Sequence, residues 1–200
     1  MQGQPYGYGY APQAPPPRSG GGFPTWALVL ILTLGAFLIL GIVVVVLAIT
    51  GVRSYVAASK TAEATNSIGA IARASSAAYE DEDFTTGVAR HRLCSSATHP
   101  VPVTIGMVSG MKYQSAASDW DGDANRGWQC LKFEMMAPQY YQYDYRMTGS
   151  GSAPGDGFTA IAHGDLDGDG VPSTFELDGD VTASKYVHIA PTPRVTNEKE

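Results

Sequence analysis

Two hundred residues with a formal net charge of −6 and an isoelectric point near 5.1 exclude a phosphate-tracking nucleic-acid binder, which needs clustered lysine and arginine. Two long stretches cannot join a soluble core, so the length leaves one small globular domain. An acidic chain of this kind suits divalent cations or plain solubility.

Residues 1–24, "MQGQPYGYGYAPQAPPPRSGGGFP", hold Gly, Pro, Gln and Tyr with a single charge, Arg18. Such a composition lacks the branched apolar side chains that offset chain entropy, and reads as a disordered tail. The run from Thr25 to Gly51 carries no charge. A helix of roughly 20 apolar residues crosses the ~30 Å hydrocarbon layer, so residues 25–50 are expected to span a membrane with some tilt, with Trp26 at the interface. A secretory signal has an apolar region of only about 7 to 15 residues, which favours an uncleaved anchor. Arg53 and Lys60 follow the span while only Arg18 precedes it; counted alone, these charges place the C-terminal part in the cytoplasm.

Residues 51–84 are rich in Ala and free of proline. Tyr55, Ala58, Ala62, Thr65, Ile68 and Ile71 recur at steps of three and four, so the helix is expected to continue as an amphipathic segment burying that stripe. The acidic cluster from Glu80 to Asp83 opposes the dipole at a helix C-terminus and should stop it. Residues 85–127 read as an irregular loop region. Asp119, Asp121 and Asp123 alternate there without a glutamate to close a shell, and read as loop chemistry.

Two cysteines, Cys94 and Cys130, are an even count in a small domain and suit one disulfide in an oxidising compartment, which opposes the charge count and argues for export. Closing a loop of about 36 residues is worth roughly 3 to 4 kcal/mol in the chain-entropy model.

From residue 128 the period changes to two. "WQCLKFEM" sets Leu131, Phe133 and Met135 on one face. "YYQYDYRM" sets Tyr141, Tyr143, Tyr145 and Met147 against Gln142, Asp144 and Arg146. "FTAIAHG" and "STFELDG" follow, the latter with Phe175 and Leu177 inward. Residues 128–190 therefore read as a roughly four-stranded antiparallel sheet with one covered face, the tyrosines packing in the core, and residues 191–200 as a flexible end. The fold class is α+β, with the long N-terminal helix packed on the sheet.

An apolar helix leading into "GVRSYVAASKTAEATNSIGAI", then "GWQCLKF", "PQYYQYDY" and "FTAIAHGDLDGDGVPSTFEL", resembles a type IV pilin-like protein of Gram-negative bacteria over roughly residues 42 to 182. The resemblance implies a helix whose apolar half anchors the subunit in the inner membrane or lines a filament core. This chain departs from the family at its start. Gly22 and Phe23 mimic a processing site, but Pro24 follows, Ala27 stands where the family has a glutamate, and the span holds no carboxylate. Taken with the resemblance, these departures imply a pilin-like domain kept on an uncleaved anchor.

"GDLDGDGVPSTFE" carries a metal-ligand spacing. Counting from Asp165, Asp167 falls at position 3, Asp169 at 5, Gly170 at 6, Val171 at 7, Ser173 at 9 and Glu176 at 12, the calcium-loop pattern of an EF-hand. The flanks are strands rather than helices, which makes the segment a hairpin loop. Calcium is the expected ion, through Asp165, Asp167, Asp169 and the Val171 carbonyl. Glu176 folds back to complete the set or stays on its strand. Related pseudopilins, by the same resemblance, use a calcium site near the C-terminus.

His91, His99, His163 and His188 are scattered without zinc-site spacing, and no nucleophile elbow or phosphate loop occurs. An enzyme is not expected, nor a small-molecule substrate. The expected function is a membrane-anchored pilin-like structural or assembly protein of the cell envelope, a single-pass inner-membrane protein. Its C-terminal domain is expected in the periplasm or at the cell surface, with other pilin-like subunits as candidate partners. The alternative is a calcium-dependent ligand-binding module or adhesin on an uncleaved anchor.

Overall fold

The computed structural model describes residues 3, 9, 21, 22, 24–81 and 90–198, without the side chains of 53, 54 and 57. The expected disordered tail, and the end of the acidic cluster at Glu82 and Asp83, lie outside the described residues apart from three glycines and Pro24 within the tail and Gly3 at its start. The chain divides into two compact units, Met1–Ile49 and Thr50–Glu200.

The first unit contains the opening of helix α1 (Thr25–Glu80). Pro24 precedes it, and its carbonyl accepts from the Ala27 and Leu28 amides. Proline is suited to that place because it donates nothing where helical donors have no partner. From Thr25 to Val52 the mean hydropathy is 3.1, and none of these residues is buried among the described residues. A helix that is apolar on every side and uncovered is long and apolar enough to cross a membrane. Thr33, the threonine in its interior, donates its hydroxyl back to the Val29 and Leu30 carbonyls, both at 3.0 Å, and so asks nothing of the surroundings.

In the second unit α1 continues to Glu80, which agrees with the expected stop at the acidic cluster. The stripe it buries is Ala64, Ile68, Ile71, Ala72, Ser75 and Tyr79, each with no exposed surface. This corrects the expected stripe, which shares only the two isoleucines. Tyr55 is 77% exposed, and Ala58, Ala62 and Thr65 are exposed as well. The reason is reach: burial begins near Ala64, and from there steps of four, seven, eight and eleven trace one helical face. Small residues along that face let the helix backbone approach the sheet.

The sheet is antiparallel throughout: β2 (Gln142–Thr148), β3 (Gly157–Gly164), β4 (Ser173–Val181), β5 (Val187–Ile189) and β6 (Arg194–Thr196), after the two-residue β1 (Gly122–Asp123). Neighbours run β2-β3-β4-β5, and β6 also pairs with β4. The register aligns Tyr143 with Ala162 and Phe175, and Tyr145 with Ala160 and Leu177. Large rings on β2 thus face alanines on β3, which leaves room for the helix. A side chain at Gly164 would meet the Tyr141 ring at 2.5 Å, so only glycine admits that ring. The tyrosines are fully buried, as expected of core packing.

Two expectations change here. "WQCLKFEM" is not a strand; Gly127–Leu131 forms the short helix α2, closed by Lys132 in the left-handed conformation at φ 53°. One helical turn brings Trp128 and Leu131 to one side, and Trp128 packs edge-on against Trp120 at 5.0 Å. Nor is the C-terminal end without structure. β5 and β6 occupy successive halves of the outer edge of β4, separated by Pro191 and Pro193, which have no amide to offer a ladder.

The 85–127 region is irregular where described, yet it closes the other edge. Val101 exchanges both backbone bonds with Tyr143, and Ala97 donates to the Tyr145 carbonyl. Cys94 and Cys130, both buried, form a disulfide that ties this region to α2. Ile68→Ala is expected to lower stability by about 2 to 4 kcal/mol, while Tyr55→Ala changes it by less than about 0.5 kcal/mol. Denaturant melts of the full chain in detergent check both, and equal losses would contradict the observed face.

Candidate functional site

The β3–β4 hairpin crosses between Gly164 and Ser173, which are register partners. The Ser173 hydroxyl donates to the Gly164 carbonyl at 2.9 Å and clamps the loop base. Between them the chain needs a left-handed backbone twice, at Gly168 (φ 80°) and Gly170 (φ 90°), which is why glycine alternates with aspartate there.

Asp165 is 4% exposed and organises the loop. Its Oδ1 accepts from the Gly168 amide at 2.8 Å, and its Oδ2 from the Gly170 amide at 3.1 Å and the Ser109 hydroxyl at 2.7 Å. Its carbonyl accepts from Gly110 at 2.7 Å. The Ser109 bond holds the Asp165 carboxyl below the ordinary carboxylate range; burial opposes this, and the loop amides reinforce it. Asp167 and Asp169 are exposed, and each takes one amide: Asp169 donates to Asp167 Oδ1 at 3.2 Å and Val171 to Asp169 Oδ1 at 2.7 Å.

Asp165, Asp167 and Asp169 each present an oxygen within 4.8 Å of the other two. Oxygens bound to one calcium at about 2.3–2.6 Å lie no more than about 5 Å apart, so the three can share a hard cation. Each exposed carboxylate keeps Oδ2 outside the loop's own amide bonds, and carboxylate oxygens suit calcium or magnesium over softer metals. The donor set therefore fits the expected ion, and carries nothing that selects calcium over another hard cation.

Glu176 does not join them. It lies on β4 opposite Ile161 and Arg194, and the Arg194 guanidinium pairs with its Oε2 at 3.2 Å and with Asp178. Three extended residues past Ser173 carry it about 10 Å along the strand. Val171 engages the loop through its amide, and its side chain is 46% exposed.

Other sequence-level candidates serve separate ends. His163 shares a 2.9 Å hydrogen bond with the Thr174 hydroxyl, and burial pushes its imidazole below its ordinary value, against the charges of Asp144 and Glu176. Asp119 accepts from the Tyr113 hydroxyl and the Ala116 amide, Asp121 from Thr98, and Asp123 from the Asn125 amide. Ser109 and Arg194, which fix Asp165 and Glu176, come from 56 and 18 residues away, and no local pattern marks either. Glu63, also unforeseen, accepts from the Tyr140 amide at 2.8 Å and the Tyr143 hydroxyl at 3.2 Å.

No family model, curated protein or solved structure matches the chain.

Asp165→Asn is expected to cost about 1 to 3 kcal/mol, since an amide group replaces a buried acceptor that serves three part-buried donors. The sign with pH follows from the lowered carboxyl. Its contribution is present above the unfolded value of about 3.9 and lost as pH falls through the lower folded value. The gap between the wild type and Asp165→Asn should therefore narrow on acidification in thermal melts; a constant gap would contradict it.

Proposed function

We propose that the chain is a membrane-anchored, pilin-like structural or assembly protein of the bacterial cell envelope, held by an uncleaved span. Its disulfide-closed domain would lie in the periplasm or at the cell surface. The observation that carries this reading is α1 itself: one helix contains an uncharged, predominantly apolar span and then supplies the face on which an antiparallel sheet packs. Such a helix supplies residues both to an anchor and to a domain core, which suits a membrane-anchored subunit. The Cys94–Cys130 bond supports the oxidising side of the membrane. The acidic hairpin would hold a structural calcium through Asp165, Asp167 and Asp169, neutralising three carboxylates crowded in one turn.

A calcium-dependent ligand-binding module is the second reading, favoured by the exposure of Asp167 and Asp169 at the loop. Filament preparations separate the two, since a structural subunit co-purifies with related pilin-like subunits and a ligand-binding module does not.

In native membranes, Cys94 and Cys130 should resist a membrane-impermeant thiol reagent until reduced, then react from outside the inner membrane. Free thiols labelled only after lysis would place the domain in the cytoplasm and end the envelope reading. For the loop, calorimetric titration of the full chain in detergent should show calcium binding that Asp167→Ala and Asp169→Ala each weaken by tenfold or more. Absence of heat at millimolar calcium would reduce the loop to a turn.

A further inference from the structure

A pocket beside Tyr140 lies outside the acidic loop and has its own chemistry. Lys60 of α1 and Lys112 bring their ammonium nitrogens to 4.5 and 4.6 Å from the centre of the Tyr140 ring. The two charges are therefore within about 9 Å of each other. Neither has a carboxylate at ion-pair distance among the described residues. In a chain of net charge −6 this is a local inversion of sign. The cavity measures about 320 Å³ and its one acid is Glu63. Oε1 of Glu63 is engaged by Tyr140 and Tyr143, and burial raises its carboxyl above the ordinary range against those two bonds and the charge of Lys112.

The order of the lining residues along α1 is equally informative. The apolar run ends at Val52. Arg53 and Ser54 follow it in sequence, and the first lining residues are Tyr55 and Val56, 77% and 45% exposed. Ser59 and Lys60 follow one turn later. Along the lining, chemistry thus changes from the apolar surface of Tyr55 and Val56 to the hydroxyl of Ser59 and the cation of Lys60, the same sequence as acyl chain to phosphate in a lipid. Lys60 follows Val52 by about 12 Å at 1.5 Å per residue, and helical side chains lean toward the N-terminus, here back toward Val56. A headgroup layer is about 5 to 8 Å deep, within the reach of such a side chain.

We propose that this pocket binds the phosphate of an anionic lipid, with Lys60 and Lys112 on the phosphate oxygens, Ser59 as a hydroxyl donor, and an acyl chain lying along Val56 and Tyr55. The assignment rests on reading α1 as a membrane span. Free phosphate would satisfy the same cations but leaves the Tyr55 and Val56 surface uncovered, which is why the lipid is the better occupant.

The test uses the full chain in phosphatidylcholine vesicles with a trace of spin-labelled phosphatidylglycerol or spin-labelled phosphatidylcholine, reading the motionally restricted fraction. At low salt, phosphatidylglycerol should be preferred about tenfold. Lys60→Gln with Lys112→Gln should bring the two lipids to parity, while the double arginine variant keeps the preference and Lys132→Gln leaves it unchanged. A preference that survives the double glutamine variant, or that Arg53→Gln alone removes, overturns the proposal. Displacement of the labelled lipid by millimolar inorganic phosphate would assign the site to free phosphate instead. Normal incorporation without any preference defeats only the lipid site; failure of the chain to incorporate defeats the membrane reading and the lipid site together.

Discussion

The seam between α1 and the tyrosine face of β2 is the constraint on which the other parts depend. Three aromatic rings with hydroxyl groups are buried side by side, and a buried hydroxyl without a partner costs about 1 to 3 kcal/mol. The helix meets this demand from its own face for two of the three hydroxyls. Ser75 shares a 2.8 Å bond with the Tyr145 hydroxyl, and Glu63 accepts from Tyr143. Burial pushes the Tyr145 phenol up to about 12, with Ser75 opposing, so the ring stays neutral at physiological pH. Alanines at 160 and 162 provide the space that makes the seam close enough for these bonds.

Everything beyond the seam protects its two sides. One sheet edge is covered by the segment around Ala97 and Val101, which the disulfide ties to α2 and its tryptophan cluster. The other is covered by β5 and β6 end to end. A small domain with a modest core gains from such closure, because open edges invite pairing with other chains and few buried residues are available to resist it. The acidic hairpin emerges from the centre of this arrangement. Its outer loop contact, Ser109 on Asp165, couples it to the edge-covering region.

Much of this was legible in the residues. The apolar span, the alternation of "YYQYDYRM", "FTAIAHG" and "STFELDG", the burial of the tyrosines and the cysteine pair all follow from patterns with a short period. "WQCLKFEM" misled because its alternation also fits a single helical turn, and the choice was made by the aromatic contacts of Trp128 with Trp120. Alanine is apolar on any side of a helix, so the residue pattern does not fix which face is buried; only the extent of the sheet says where burial starts. The acidic loop divided in the same way. Three aspartates two residues apart converge through the turn they build, but Glu176 depends on a residue that follows two prolines.

The residues by themselves determined where the chain is apolar, where it alternates, and that Asp165, Asp167 and Asp169 share one turn, because backbone geometry converts spacing of a few residues directly into proximity. Tertiary structure alone decided that Glu176 belongs to Arg194, that Ser109 completes Asp165, and that Lys60 meets Lys112 across Tyr140. Those pairings join segments 18 to 56 residues apart and cost chain entropy that only the assembled core can offset.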